Sequence, residues 1–174
     1  MGSFFNRIQR RDTAILMVFN SSIKCKVLDL FMPCITYFGS GIFSVLFCIA
    51  SIINGDRFIR QLGIETSLAL IVSGFIARMI KITVNRIRPY IVLQNLNIRK
   101  IGIDDYSFPS GHTTAAFCIA VMIALTIPHL SVIAISIAIA VGISRMYLGV
   151  HFPSDVLVGM LLGSITSLSV FLLM

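Results

Sequence analysis

Long apolar segments constrain this chain more than any other feature of its sequence. Five of them occur, at residues 36–53, 62–84, 110–127, 130–148 and 153–174. A helix needs roughly 17 to 25 residues to cross a hydrocarbon core of about 30 Å, and each segment meets that requirement. We therefore expect an all-α polytopic membrane helix bundle with about five transmembrane helices.

The composition excludes an ordinary soluble domain. Hydrophobic residues make up 57% of the 174-residue chain and charged residues 12%, and the mean hydropathy is +0.96. These values lie outside the usual range of soluble globular proteins. No Pro- or Ser-rich linker, repeat or low-complexity tract divides the chain. Residues 1–174 are thus expected to form a single membrane-embedded domain.

The first 35 residues are amphipathic rather than continuously apolar. Apolar side chains alternate there with basic ones, among them Arg7, Arg10 and Arg11, a pattern typical of a helix in the headgroup region. We interpret residues 1–35 as an interfacial or re-entrant segment; a disordered basic tail is the alternative. The apolar run 14–19 is too short for the core of a signal peptide, so we expect the spans to direct targeting.

Three short polar clusters lie at the ends of the expected spans, at residues 81–89, 109–112 and 144–155. Consecutive spans alternate in direction, which brings all three clusters to one membrane face. Charged and titratable groups at membrane depth cost several kcal/mol when they are unpaired, so they usually mark a functional site. The cations and histidines of these clusters predict chemistry on an anion.

The first cluster supplies two cations that suit a phosphate. Lys81 and Arg88 are seven residues apart, about 10 Å along a helix, and the helix is expected to fray before Pro89 and turn the guanidinium inward. Arg provides a planar fork for two oxygens and Lys a point charge. Snorkelling to the interface explains this cluster alone equally well. For Arg78 and Arg86 we favour snorkelling.

The second cluster, PSGH, predicts an anion site at a helix N-terminus. Pro109 suits the start of a helix, and Ser110 and Gly111 can present backbone N–H groups to an anion at the positive end of the helix dipole. His112 then falls in the first turn. There it is positioned to donate a proton to a leaving oxygen.

The third cluster predicts a nucleophile. His151 and Asp155 are four residues apart, about 6 Å on one helical face. A carboxylate bonded to one ring nitrogen fixes the tautomer and leaves the other nitrogen nucleophilic. Arg145, at the end of the fourth span, adds a fixed cation. His129 lies in a turn on the opposite face, and we interpret it as a surface residue.

Together, the patterns KxxxxxxRP, PSGH and SRxxxxxHxxxD closely resemble the signature of the type-2 phosphatidic acid phosphatase family, which shares its core with vanadium haloperoxidases. By this resemblance, His151 attacks phosphorus to form a phosphohistidine, Asp155 orients His151, and His112 protonates the leaving group. The resemblance implies no metal or other cofactor. The residues implied to hold the phosphate oxygens are Lys81, Arg88, Ser110, Gly111 and Arg145.

A phosphate pocket at the membrane surface suits an amphiphile whose tail stays in the lipid. A lipid phosphate or pyrophosphate fits best, and undecaprenyl pyrophosphate, phosphatidylglycerol phosphate and phosphatidic acid all remain candidates. Arg99 and Lys100 give a slight preference for a second phosphate group. We expect this lipid and the bilayer as partners, and no nucleic acid. The alternatives are a non-catalytic lipid-binding membrane protein and a phosphatase of a soluble ester.

Two arguments about the orientation of the chain in the membrane disagree. Of the 14 Lys and Arg residues, only Arg57 and Arg60 lie in loops opposite the clusters, so the positive-inside rule predicts a cytoplasmic site. The family resemblance implies an outward-facing site in bacterial members. Because the cations of the clusters serve phosphate, we expect a multi-pass plasma-membrane protein with an extracytoplasmic active site. Many family members have six spans; here the amphipathic segment replaces the first.

Overall fold

The computed structural model describes residues 2–99 and 106–174, and most of them lie in helices. In chain order the α-helices are α1 Gly2–Met17, α2 Lys26–Thr36, α3 Gly41–Ile52, α4 Arg57–Val84, α5 Pro89–Val92, α6 Gly111–Thr126, α7 Ser131–Tyr147 and α8 Pro153–Leu173. A π-helical turn, Val18–Ser22, follows α1, and 3-10 turns at Tyr37–Gly39 and Pro128–Leu130 follow α2 and α6. No strand occurs in these two described ranges.

Local sequence signals set the helix boundaries. Asp56 begins α4, because its Oδ1 accepts hydrogen bonds from the amides of Phe58 (2.8 Å) and Ile59 (3.1 Å). Asn85 ends the same helix in the left-handed conformation, with φ of 50°. Ser110 caps α6. The end of α4 and the start of α6 are therefore both sharp, and both lie at the predicted site.

The helix α6 lies at the centre of the bundle, packed against α4, α7 and α8. Small residues bring α8 close: a Cβ added to Gly163 would lie 2.3 Å from the carbonyl oxygen of Thr114. On the α4 side, Cys118 and Met122 form a buried apolar cluster with Leu62. This close packing holds the first turn of α6 at a fixed position among the other helices.

The membrane-bundle prediction is confirmed, although the count of five spans is approximate. In the described ranges, three helical segments are long and apolar enough to cross a membrane, Arg57–Val92, Pro128–Tyr147 and Pro153–Leu173. The helix α6 is apolar but has only 16 residues. A fourth candidate is the helical stretch Lys26–Gly39 together with α3, bent by 53°.

That bent pair differs from the first span expected at residues 36–53. The backbone at Ser40 is extended (φ −76°, ψ 154°), and its side chain caps α3, which breaks the helix inside the apolar run. A Cβ added to Gly39 would lie 2.4 Å from the carbonyl oxygen of His112. The bend therefore lets the chain approach the first turn of α6 closely. Hydropathy alone carries no signal for such a break.

The N-terminal segment forms an amphipathic helix, α1, that packs on the bundle. Arg7, Arg10 and Arg11 are exposed, in agreement with the amphipathic pattern. On the other side, Leu16 is buried against Met146 and Phe152. This helix therefore contacts the connection between α7 and α8, where the third polar cluster lies.

Candidate active site

The three polar clusters meet at one end of the bundle. The guanidinium of Arg88 donates to the carbonyl oxygen of Val150 (2.9 Å), which joins the first cluster to the third. The backbone N–H of Ser110 donates to the carbonyl oxygen of Asp155 (3.0 Å), which joins the second to the third. Segments that are distant in sequence, up to 62 residues apart in these two contacts, thus form one site, as the alternation of spans predicts.

His151 is the centre of this site and is 2% exposed. Its Nδ1 lies 2.7 Å from the carbonyl oxygen of Ser107. Because a carbonyl oxygen only accepts, this contact assigns the ring proton to Nδ1 and leaves a lone pair on Nε2. The Nε2 atom lies 3.3 Å from Nη1 of Arg88, so the lone pair is directed toward the cations.

The electrostatic surroundings favour a neutral His151. The residue lies in the connection between α7 and α8, outside the spanning helices. Burial lowers the pKa of His151 well below its usual range, and the positive charges of Arg145, Arg88 and Lys81 lower it further. A neutral imidazole with a free lone pair on Nε2 is the nucleophilic form.

The relation of Asp155 to His151 differs from the direct hydrogen bond expected from the sequence. The Oδ2 atom of Asp155 is 3.6 Å from Nδ1 of His151, beyond hydrogen-bond distance. Instead, Oδ2 accepts from the amide of Phe152 (2.8 Å). Because Asp155 lies in the first turn of α8, its carboxylate caps that helix. The carbonyl oxygen of Ser107, rather than Asp155, orients the imidazole through its contact with Nδ1. Asp155 supplies a negative charge nearby.

Three buried cations surround the imidazole. Lys81 donates to the carbonyl oxygen of Tyr106 (3.0 Å), and Arg145 donates to the hydroxyl of Thr36 (2.8 Å). Lys81 is 5% exposed, Arg88 1% and Arg145 0%. Snorkelling, left open for Lys81 and Arg88, is wrong, because both side chains turn into the protein. Such a cluster of buried positive charge is suited to an anion.

The start of α6 also differs in part from expectation. The N–H of Ser110 is used by Asp155, and its hydroxyl accepts from the hydroxyl of Thr113 (2.9 Å), so its amide does not face an anion. Gly111, by contrast, is exposed at the first helical position, and a Cβ added there would have no neighbour within 4 Å. His112 follows, half-buried. Open space therefore adjoins the N-terminus of α6.

The interpretation of Arg86 from the sequence was wrong. We expected it to snorkel, yet its side chain is 18% exposed and donates to Asp155 Oδ1 (2.6 Å) and Asp12 Oδ2 (2.7 Å). Its guanidinium also stacks on the ring of Phe152 at 4.2 Å. Arg78, two helical turns earlier, is exposed as expected. The two arginines differ because α4 ends between them.

Sequence reasoning also missed Asp12, Ser107 and Thr36. Ser107 acts through its backbone carbonyl, which any residue provides, so no side-chain pattern marks it. Asp12 is the single acidic residue in a basic amphipathic helix, and that contrast was the available signal.

Arg99 donates to the carbonyl oxygen of Asp29 (3.1 Å), while Lys100 lies outside the described residues.

Within residues 2–99 and 106–174, no group of three or more His, Cys, Asp or Glu side chains is placed to hold a metal ion. Cys48 and Cys118 are buried in the bundle, and Cys25 and Cys34 are exposed. His129 is exposed in the turn before α7. The charged groups of the site are therefore mainly cations.

The bundle and its buried cationic histidine site define an integral membrane protein with a site suited to an anion at one end of its helices. The chain belongs to the PAP2 superfamily, whose family model matches residues 63–174. This finding confirms the family inferred from the three motifs.

Two relatives and one crystal structure illustrate the similarity. The chain is 34% identical over 172 residues to phosphatidylglycerophosphatase B of Bacillus subtilis, covering 91% of this chain and 80% of that one. It is 34% identical over 106 residues to undecaprenyl-diphosphatase of Sulfolobus acidocaldarius, covering 60% of this chain and about half (52%) of that relative. A transmembrane PAP2 type phosphatidylglycerolphosphate phosphatase from Bacillus subtilis matches with a TM-score of 0.78 at 29% identity, covering 97% of this chain and 86% of that one.

Proposed function

We propose that this protein is an integral-membrane phosphatase that hydrolyses a lipid phosphate or pyrophosphate through a phosphohistidine intermediate. The observation that carries the proposal is the environment of His151. Its Nδ1 is bound to the carbonyl of Ser107, and its Nε2 adjoins the guanidinium of Arg88. A nucleophile with a lone pair directed into buried positive charge suits attack on a phosphorus atom that bears anionic oxygens.

In the first half of the reaction, Nε2 of His151 donates its lone pair to phosphorus, and the bond from phosphorus to the leaving oxygen breaks. His112 gives its proton to that oxygen. The imidazole then carries positive charge, which the carboxylate of Asp155, 3.6 Å from Nδ1, offsets.

In the second half, a water molecule attacks the phosphohistidine, and His112 takes a proton from it. The bond between phosphorus and Nε2 breaks, and its electron pair returns to His151. Inorganic phosphate leaves, and both histidines regain their starting protonation states. Lys81, Arg88 and Arg145, with the hydroxyl of Ser110 and the N–H of Gly111, hold the phosphate oxygens throughout, because their positive charges and donor groups match the charge that develops there.

An apolar groove supports an amphiphilic substrate. The groove, about 450 Å³, lies between α3 and α4 and is lined by Val45, Cys48, Leu70, Ile71 and Ala115, among others. Ala115 is three residues after His112, nearly one turn along the same helix face. A hydrocarbon chain in this groove would bring its phosphate head to the site.

The choice among lipid head groups rests on the relatives. They include a diphosphatase and a phosphatidylglycerophosphatase, and both substrate types fit the cationic site. The contact of Arg99 with the carbonyl of Asp29 keeps this guanidinium near α2. Undecaprenyl pyrophosphate, phosphatidylglycerol phosphate and phosphatidic acid all belong in the assay.

Phosphate release by detergent-purified protein tests the activity. The panel comprises a polyprenyl pyrophosphate, phosphatidylglycerol phosphate, phosphatidic acid and a soluble aryl phosphate, each with and without EDTA. We expect release from at least one lipid that persists in EDTA, and acid-labile phosphate trapped on His151. Binding of these lipids without any release would favour the non-catalytic alternative.

We further propose that the protein lies in the plasma membrane with its site on the extracytoplasmic face. Single cysteines at Gln94 and Gly55, in a background without the four native cysteines, test this orientation. Both positions are exposed and lie at opposite ends of the bundle. An impermeant thiol reagent should label Gln94→Cys in intact cells and leave Gly55→Cys unlabelled. The reverse pattern would place the site in the cytoplasm, as the positive-inside count predicts.

A further inference from the structure

Arg86, outside the motifs that predict the site, is bound by four side chains. Its Nη1 donates to Ser154 Oγ (2.6 Å) and Asp155 Oδ1 (2.6 Å). Its Nη2 donates to Asp12 Oδ2 (2.7 Å) and Gln9 Oε1 (2.9 Å). The partners come from α1 and from the first turn of α8, so this one guanidinium connects the N-terminal helix to the carboxylate beside His151.

Asp12 also connects α1 to the first turn of α8, through two contacts with Ser154. Its Oδ1 accepts from the amide of Ser154 (3.1 Å), and its Oδ2 accepts from the hydroxyl of Ser154 (2.5 Å). The carboxylate therefore satisfies an N–H of the first turn of α8 while it also binds Arg86. Asp12 is 5% exposed, and a buried carboxylate of this kind is stable only with such partners.

The two oxygens of Asp155 are held by different groups. Arg86 binds Oδ1, and the amide of Phe152 binds Oδ2, the oxygen nearer to His151. These two contacts fix the rotation of the carboxylate, which does not reach His151 directly. Because Asp155 acts on the imidazole across 3.6 Å by its charge, its effect depends on that position being maintained.

We infer that Arg86 and Asp12 form a positioning pair for the reaction: Asp12 orients Arg86, Arg86 orients Asp155, and Asp155 stabilises the positive charge on His151 when Nε2 bonds to phosphorus. Through this pair the N-terminal helix α1 becomes part of the active site. The inference rests on the proposed phosphohistidine reaction. It assigns a role to Arg86 and Asp12, neither of which belongs to the three motifs.

A purely structural role for the pair predicts a different result. In that case, removing Arg86 would lower the stability of the protein and reduce substrate binding and turnover together. A positioning role predicts a loss in kcat with KM nearly unchanged, because the positive charge on His151 develops only after the substrate is bound.

The experiment compares Arg86→Met, Arg86→Lys and Asp12→Asn with Arg78→Met, the matched control on α4. The variants are purified in detergent, their thermal unfolding is measured, and kcat and KM are determined for the best lipid substrate. We expect kcat to fall about 100-fold for Arg86→Met and about 10-fold for Asp12→Asn, with KM within about threefold of wild type. Arg86→Lys should recover part of the loss, and Arg78→Met should match wild type.

Combining variants tests whether Arg86 acts through Asp155. In an Asp155→Asn background, Arg86→Met should lower kcat by less than about threefold further, since the group that it positions has already been changed. Multiplicative losses, or a folded Arg86→Met protein with wild-type kcat, would overturn the inference while the proposed function stands. If Arg86→Met does not fold, Arg86→Lys and Asp12→Asn decide the same question by their ratio of kcat to KM effects. An inactive wild-type protein would overturn the proposed function, and the inference with it.

Discussion

The two ends of the helix bundle carry similar charged and titratable residues, which are buried at one end and exposed at the other. At one end, Arg88, Arg145 and His151 are almost fully buried and contact distant segments. At the other end, Arg57 and His129 are exposed. The polar contacts there are local, such as the cap that Asp56 provides for α4. Both groups of residues lie at the ends of membrane helices, so this position alone does not explain why one group is buried and the other is exposed.

The difference comes from what covers each end. At the site end, the bent pair α2–α3, the helix α1 and the backbone of Tyr106 and Ser107 all contact the polar clusters. At the opposite end, short turns join the helices, and the side chains of Arg57, Arg60 and His129 are exposed. A cation that is enclosed by protein exists in a less polar environment, where it attracts an anion far more strongly than an exposed cation does.

The largest contrast is expected between the two histidines. His151→Ala should abolish turnover, by about 10⁴-fold or more, because the nucleophile is lost. His129→Ala, the control at the opposite end, should leave kcat unchanged. Phosphate release and the trapping of acid-labile phosphate measure both effects. Residual turnover in His151→Ala above about one hundredth of wild type would contradict the assignment.

The expected difference in activity between variants of Arg88 and of Arg60, at the opposite end, is smaller. Arg88→Lys keeps the charge but loses the planar fork, so we expect kcat/KM to fall about 10- to 100-fold. Arg60→Lys at the opposite end should have no effect, because that side chain is exposed. Steady-state kinetics on one lipid substrate compare the two. Equal, wild-type kinetics would show that the fork of Arg88 does not contact the phosphate.

The pH dependence of kcat/KM tests the electrostatic difference between the ends. Because the pKa of His151 lies well below its usual range, activity should persist as pH falls through that range and be lost only at lower pH, where Nε2 takes up a proton. Lys81→Met removes one of the charges that lower this pKa, so its acid limb should move to higher pH. Arg57→Met, the control, should leave the limb in place. An unmoved limb in Lys81→Met would mean that another group controls it.

The smallest effect concerns the apolar groove between α3 and α4. Ala115→Phe should narrow the groove and raise KM for a long-chain lipid several-fold, with little change for a soluble aryl phosphate. Ile133→Phe, on the exposed face of α7, is the matched control. Equal effects on both substrates would favour a soluble ester as the natural substrate.

Particular residues show how far prediction from the sequence extends. The inward turn of Arg88 agrees with the prediction that the helix ends before Pro89, although α4 ends earlier, at Val84, and Pro89 begins α5. The motifs identified Ser110 as a phosphate ligand and Asp155 as the partner of His151; that both residues also cap helices came from the structure. Arg86 was misread because its partners on α1 lie more than 70 residues away in sequence, so nothing beside it in the chain marks them.

The sequence by itself determined the membrane bundle, the family and the meeting of three clusters on one face, because these follow from span length and alternation of direction. Only the tertiary structure decided which groups contact one another within that layer. The carbonyl of Ser107 takes the orienting contact with His151, and Arg86 connects α1 to Asp155. Backbone carbonyls are present at every residue, and long-range pairs depend on how helices pack, so neither leaves a periodic signal in the chain.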